Sequence, residues 1–366
     1  MRGRLDKTLL FLLIALVVGG CLIFASAAFG LLARGQSGMT SVVFNHLVLG
    51  VGLGLVLLVI LSVFDYRHWR ATAPYLFALS LIATALVFVP HIGFSHGGGT
   101  RWLDIFGLSI QPSEGLKITS VILASAYFSA IRGRAESLTW GLGGYFAIIA
   151  PSAVLLFLQP DIGTLLIICI PVFAVYVTAG ARWRDIAIAA IVAVVCLSGV
   201  LYFKEHARQR VMTFLDPSQN QQASGYQIRQ SLIAVGSGEV LGRGFGQGVQ
   251  KFTYLPEPMG DSIFAVAAEE LGFVGSVMIV AVFLGFVLRG FGIAARTPDF
   301  FGGLLAVGIS TYLVSEAFIN IASMLGVAPL TGVPLTFVSQ GGTAMLVSLA
   351  SAGILLNISR HASRRS

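Results

Sequence analysis

Charged residues are scarce in this chain. Only 11% of its 366 residues are Asp, Glu, Lys or Arg, against roughly 25% in ordinary soluble domains. A water-soluble fold is therefore excluded. Cysteine is nearly absent too: Cys21, Cys169 and Cys196 all lie inside apolar runs, where a thiol behaves as a small hydrophobe. No disulfide framework follows from them. Metal-ligand spacing is also missing, and His91 and His96 do not form a recognised pair. GSGEVLGRGFGQG (236–248) lacks the last glycine of a dinucleotide fingerprint, since Gln247 stands there, and no Lys-Ser or Lys-Thr ends a phosphate loop. It is read as flexible backbone able to approach a bulky ligand. FVSQGGT (337–343) is not a nucleophile elbow, because Phe337 occupies a position that needs glycine.

What the chain has in quantity is apolar sequence, at 56% of residues. Runs of about 20 such residues recur, each long enough to cross a bilayer. They predict an all-α polytopic membrane protein, one domain over 1–366. Ten spans are expected, near 9–33, 42–63, 73–90, 111–131, 141–159, 162–180, 185–203, 262–288, 300–325 and 340–358. The first admits a second reading, as a cleaved signal or a lipid anchor at Cys21. Its run of about 25 residues exceeds the 7–15 of a signal core, so it is counted as a span. Loops on one side carry Arg2, Arg4, Lys7, Arg67, Arg70, Arg132, Arg134, Arg182, Arg184, Arg289, Arg296, Arg360, Arg364 and Arg365. The short loops opposite carry only Arg34 and Arg101. The positive-inside rule then puts both termini in the cytoplasm. The net charge of +7 is spread over one membrane face, so it does not signal nucleic acid as a partner.

One connection is long. Residues 204–260 form a polar outer segment, and a segment of that length is usually functional. Around it lie the residues that carry chemistry. QPSEGLK (111–117) opens the fourth span with Glu114 and Lys117 three apart, able to meet on one helix face. They are read either as a charge pair that lets the helix tolerate both groups or as substrate contacts. In GGGTRWLDIFG (97–107), Arg101 suits a phosphate or carboxylate, or anchors the chain at the interface beside Trp102. Asp161 in LQPDIGT (158–164) reads as a helix N-cap or as a group facing the long loop. Glu316 reads as a lone acid hydrogen-bonded inside the bundle. In YLPEPMGDSIFAVAAEELGFVG (254–275), Glu269 and Glu270 fall two turns inside the eighth span and are placed to pair within the bundle. Glu257 lies between Pro256 and Pro258 and is suited to orienting a substrate. Asp261 sits at the helix mouth, as an N-cap or as a functional carboxylate.

Taken in order, GGGTRWL, QPSEGLK, QPDIGT, YQIRQSLIAVGSG, GRGFGQGVQKFTYLPEPMGDSIFAVAAEELGFVG and PLTGVPLTFVSQGGT resemble the signature blocks of the SEDS family (shape, elongation, division and sporulation), over about residues 97–358. The first 90 residues match only as generic spans. The resemblance implies a peptidoglycan glycosyltransferase that polymerises lipid II on the outer face of the bacterial cytoplasmic membrane. It marks Asp261 as catalytic and places Arg101, Glu114, Lys117, Asp161, Glu257 and Ser339 at the substrate. It implies a class B penicillin-binding protein as crosslinking partner, alongside other membrane proteins of the division machinery. GVQKFTYLPE looks closer to FtsW than to RodA, which favours a septal role. Where the family has Leu-Pro-Phe and Ser-Tyr-Gly-Gly-Ser, this chain has Leu335-Thr336-Phe337 and Ser339-Gln340-Gly341-Gly342-Thr343. The family's His-Thr or His-Ser before the aspartate is Met259-Gly260 here. No cofactor is required by the resemblance, although Mg or Mn remains an alternative for managing the leaving pyrophosphate. Arg101, Arg210 and Lys251 are the other candidates for that task. A lipid-linked precursor flippase is the rival reading, with Glu114, Lys117, Glu269, Glu270 and Glu316 lining its path.

Overall fold

The computed structural model describes residues 5–33, 39–90, 92–96, 99–105, 108–216 and 224–362. His91, Arg2, Arg4, Arg34, Arg364 and Arg365 lie outside them. Helix α1 (Lys7–Ala33) is followed by a second span built from α2 (Met39–Phe44), a π-helical stretch (Asn45–Gly52) and α3 (Leu53–Val63). Helix α4 (His68–Ala85) leads into a small antiparallel sheet of β1 (Gly93–His96), β2 (Gly99–Ile105) and β3 (Leu108–Ile110). Then come α5 (Pro112–Ala130), α6 (Gly143–Leu158), α7 (Ile162–Thr178) and α8 (Trp183–Phe203). The long polar segment folds into α9 (Glu205–Leu215), α10 (Ser224–Ser237) and α11 (Gln250–Thr253). Helices α12 (Ile263–Arg296), α13 (Phe300–Met324) and α14 (Gly342–His361) complete the bundle.

The expected multi-pass helical membrane fold is borne out. All ten expected runs are helical, and eight helices among the described residues are long and apolar enough to cross a membrane. The other two, α5 and α7, pack inside the bundle. Helix α7 is a shorter apolar helix of 17 residues. Helix α5 is more polar, and its hydroxyls turn back onto their own helix: Ser120 Oγ donates to Leu116 O at 2.7 Å and Ser125 Oγ to Val121 O at 2.8 Å. That satisfies groups for which lipid offers no partner. Helix α13 forms the centre, packed by α12, α5 and α7, while α14 lies against α3. Small residues set that last contact. A Cβ at Gly353 would meet Leu58 O at 2.7 Å, and one at Gly54 would meet Leu349 Cδ1 at 2.7 Å. In lipid, close backbone approach of this kind supplies much of the association energy.

Helix α12 is not one helix. Gly272 adopts φ 68° and ψ −165°, so the helix breaks nine residues after it begins. The glycine-rich segment 238–248 fills the break. Arg243 N and Gly244 N donate to Glu269 O and Glu270 O at 3.0 Å, while Phe273 N and Val274 N donate to Glu239 O and Val240 O at 2.9 and 3.1 Å. Each orphaned helix end thus finds backbone partners. The expectation that 236–248 is a flexible surface for a ligand is corrected: the segment closes on α12. Its glycines are needed because side chains there would collide with the helix they cap.

A Cβ at Gly272 would lie 2.2 Å from Gly242 N, in a backbone region that L side chains seldom adopt, whereas a Cβ at Gly236 would meet nothing within 4 Å. Gly272→Ala is expected to lower the melting temperature in detergent sharply or to prevent folding, and Gly236→Ala to be close to neutral. Thermal unfolding of both variants checks this, and equal melting temperatures would contradict the capped-break account.

Candidate active site

The break leaves the first half of α12 as a short post with Asp261 at its top. The helix starts at Ile263 and its N-cap is Ser262, so the capping role weighed for Asp261 falls to its neighbour. The backbone around Asp261 is held from three directions. Asn320 Nδ2 on α13 donates to Asp261 O at 2.9 Å and to Val333 O at 2.8 Å. Ser339 Oγ donates to Gly260 O at 2.8 Å, and Gln340 N donates to Met259 O at 2.7 Å. Gln227 Nε2 on α10 reaches Ser262 Oγ at 3.0 Å. The Asp261 carboxylate has no hydrogen bond or ion pair of its own among the described residues. Surrounding protein and the charge of Glu257 push its pKa up to about 6, against the opposing pull of Arg210 and Arg101.

Beside it lies a polar cavity lined by Arg101, Glu114, Lys117, Asp161, Glu316 and Gly332, among others. Four residues chosen from the sequence therefore share one cavity. Gly332 joins it to Asp261, whose Oδ2 lies 3.5 Å from where a Gly332 Cβ would be. Asp161 caps α7 through Thr164 N at 3.3 Å and Thr164 Oγ1 at 2.9 Å, and its Oδ1 is 3.6 Å from Arg101 Nη1. Arg101 also donates to Pro160 O at 2.5 Å. Deeper in, Lys117 Nζ is 2.8 Å from Glu114 Oε2 and forms a second buried ion pair with Glu316. Glu316 is thus not the lone acid it looks in the sequence. Thr336 Oγ1 also lies 3.2 Å from Glu316 Oε2. That hydroxyl stands where the family pattern has proline, so the departure brings a partner with it.

Other sequence-chosen residues sit differently. Ser339 accepts from Leu335 N at 2.7 Å and donates to Gly260 O. Its hydroxyl holds backbone, so the structure does not place it as a substrate contact. Glu257 is exposed, with φ 45° and Gln340 Nε2 at 3.4 Å. Glu269 and Glu270 pair within the bundle as expected. Glu269 accepts from Val249 N at 2.8 Å, and Glu270 meets Lys251 Nζ and Ser26 Oγ, both at 2.6 Å. Lys251 is completely buried there, which withdraws it as a pyrophosphate ligand. The path of five charges required by the flippase reading divides into two clusters, with no printed bond between them. Among the described residues no three His, Cys, Asp or Glu side chains converge to hold a metal ion. The protein thus supplies no cage for Mg or Mn, and no step here is routed through one.

Spanning helices around a polar cavity, with an unpaired carboxylate at its rim, define a multi-pass membrane protein built to act on a polar group carried at the membrane surface. The comparisons give that class a family. Residues 7–364 match the family model for FtsW, RodA and SpoVE, described as cell cycle proteins. The chain is 35% identical to the peptidoglycan glycosyltransferase MrdB of Escherichia coli K12, covering 98% of this chain and 94% of that one. It is 33% identical to stage V sporulation protein E of Bacillus subtilis, covering 86% of each. A probable peptidoglycan glycosyltransferase FtsW of Geobacter sulfurreducens is also 35% identical, over 84% of this chain and 82% of that one. Among solved structures, a chain from a peptidoglycan synthase complex that coordinates polymerization and crosslinking superposes with TM-score 0.77 at 26% identity, over 99% of both chains. A variant of rod shape determining protein RodA from Thermus thermophilus gives 0.70 at 25%, also over 99% of both. This chain belongs to the FtsW/RodA/SpoVE family.

The buried triad makes a prediction of its own. Removing one partner from a buried ion pair strands the other and costs about 3–5 kcal/mol. Lys117→Met strands two carboxylates and is expected to destabilise more than Glu114→Gln or Glu316→Gln. Adding Glu114→Gln to Lys117→Met should cost little further or recover some stability. Additive losses in detergent unfolding would show that the three side chains are not coupled.

Proposed function

We propose that this peptidoglycan glycosyltransferase polymerises lipid II with Asp261 as general base, at the outer face of the bacterial cytoplasmic membrane. The activity class is that of the MrdB and FtsW relatives. The observation that carries the residue assignment is the state of Asp261: unpaired, fixed through its backbone, and beside a cavity lined with arginine, lysine and acids. Glycosyl transfer asks a weakly acidic sugar hydroxyl to attack an anomeric carbon as diphosphate departs. A carboxylate that takes the hydroxyl proton as the new bond forms is worth typically 10²–10⁴-fold in rate.

Asp261→Asn keeps the shape and loses the base, so it is expected to insert and fold normally yet make no glycan from lipid II. The pH profile tests the same point. The base must be ionised, and its pKa lies at about 6. Polymerisation should therefore fall away as pH drops through about 6 and level off above it. Glu257→Gln removes a neighbouring negative charge and should move that limb to lower pH. Near-normal polymerisation by Asp261→Asn, or an acid limb at the ordinary carboxylate value near 4, would remove Asp261 from this role.

The rest of the proposal concerns setting. Both termini lie in the cytoplasm, as the basic loops indicate. A class B penicillin-binding protein is the crosslinking partner, a reading supported by the match to a complex that couples the two reactions. A septal role, among division membrane proteins, rests on GVQKFTYLPE alone, since MrdB and FtsW relatives are equally similar at 35%. One fluorescent fusion after Ser366 tests location and role together. Green fluorescence, which needs a cytoplasmic terminus, should concentrate at division sites. A dark fusion would reverse the topology, and signal spread along the side wall would point to elongation.

A further inference from the structure

Arg210 is the cation at the rim whose purpose the bundle does not explain. It stands on α9, in the polar segment, and its Nη1 lies 3.4 Å from Leu330 O and 3.2 Å from Thr331 O. Among the described residues it forms no ion pair, although Asp161 and Asp261 are near enough to act on it electrostatically. Arg101 comes from β2, 109 positions earlier in the chain, and reaches the same rim. The two meet because the turns that hold them abut. A Cβ at Gly163, beside the Asp161 cap, would lie 2.8 Å from Thr331 O, the carbonyl that Arg210 also contacts. Two guanidiniums on one rim repel each other, and the surrounding protein holds the Arg210 pKa down for that reason and, more strongly, because of burial. Arg101 has Asp161 at 3.6 Å to offset its charge. Arg210 has only carbonyl oxygens at bonding distance. A partly buried guanidinium with donors to spare is best satisfied by an acceptor with several negative oxygens, and phosphate oxygens fit its fork.

We propose that Arg210, with Arg101 across the rim, forms the subsite for the diphosphate of the lipid-linked donor sugar. The proposal rests on the glycosyl-transfer reading above and adds the ligand that the rim takes. In the transfer, the bond between the donor's anomeric carbon and the diphosphate oxygen breaks, and its electron pair stays on that oxygen. The new bond joins the anomeric carbon to the acceptor hydroxyl oxygen, and the hydroxyl proton passes to Asp261. Negative charge grows on the leaving diphosphate as it departs, and two fixed cations at that point stabilise it without reorganising. Gly332 links the two halves of the site, since it follows the carbonyls that Arg210 holds and lies against Asp261. Arg210 therefore touches the leaving group on one side and steadies the wall beside the base on the other.

Inorganic pyrophosphate is the probe, added to the purified full-length protein in detergent. It is expected to bind, and to inhibit polymerisation in competition with lipid II. Losing one charge-assisted contact should weaken pyrophosphate binding by roughly 10–100-fold in Arg210→Gln. Arg101→Gln should also weaken it, and Arg210→Lys should recover part of the loss. Asp261→Asn should bind pyrophosphate as tightly as the parent while making no glycan. Pyrophosphate affinity unchanged in Arg210→Gln, with activity and melting temperature reduced, would show that Arg210 only braces the 330–332 turn and would overturn the proposal. A parent protein that does not bind pyrophosphate would overturn it as well. If Arg210→Gln does not fold, Arg210→Lys and Arg101→Gln decide the matter by the same measurement. Active Asp261→Asn together with Arg210-dependent binding would sink the base and leave the diphosphate site standing.

Discussion

A helix broken inside a membrane must find new partners for the backbone groups it frees, and the break at Gly272 is the constraint on which this architecture depends. Lipid offers no hydrogen bonds, so each orphaned N–H or C=O would cost several kcal/mol. The 238–248 segment answers that cost by bonding to both sides of the break. It is fastened in turn by the carboxylates that follow Ala268. Glu269 takes the amides of Val249 and Gln250, and Glu270 takes Gly246 N and Lys251. Ser26 extends the attachment to α1. Acids that look misplaced in an apolar helix are therefore the fastenings of a loop brought to membrane depth. The result is a short, rigid half-helix whose upper end fixes the position of Asp261.

The second cluster works by a different balance. Lys117 lies between Glu114 and Glu316, and all three are buried. Taking these charges out of water is costly, and only close mutual attraction with further hydrogen bonds makes the arrangement tolerable. Thr336 supplies one such bond and also donates to Leu313 O at 2.9 Å. The cluster sits at the inner end of the cavity that Arg101 and Asp161 line near the rim. A charged headgroup entering the cavity meets fixed partners at both depths, with little solvent to dilute them.

Much of this was legible in the sequence, for reasons that differ by element. The apolar runs announced the helices because a bilayer imposes both length and composition. Glu114 and Lys117 could be paired because their spacing is local. Glu316 could not be joined to them, since 199 positions separate it from Lys117 and no local pattern records a contact between distant helices. Arg210 and Lys251 looked alike as basic residues in a polar segment, yet one faces the rim and the other is sealed against Glu270. Gly-rich 236–248 was misread for a related reason: glycine marks close approach without saying to what. Ser339 was drawn to the substrate by the family pattern, whereas its hydroxyl is occupied by Leu335 N and Gly260 O. Gln340, a departure from that pattern, still holds Met259 O through its backbone.

The carboxylates on this half of the bundle separate by what holds them. Glu114 and Glu316 share a lysine, and Asp161 has an arginine and a helix end. Glu269 has backbone amides, and Glu270 has a lysine, a serine and an amide. In each case the negative form is stabilised and unavailable to a proton at neutral pH. Asp261 has the opposite setting, with burial and the charge of Glu257 working against ionisation and two arginines working for it at longer range. Neighbouring acids driven apart in this way are how one site keeps some carboxylates as fixed charge and one as a proton acceptor. A strong ion pair to Arg210 would have made Asp261 a better anchor and a poorer base. By engaging carbonyls of the 330–331 turn, Arg210 stays near enough to keep Asp261 ionised at neutral pH while the carboxylate remains open to an incoming hydroxyl.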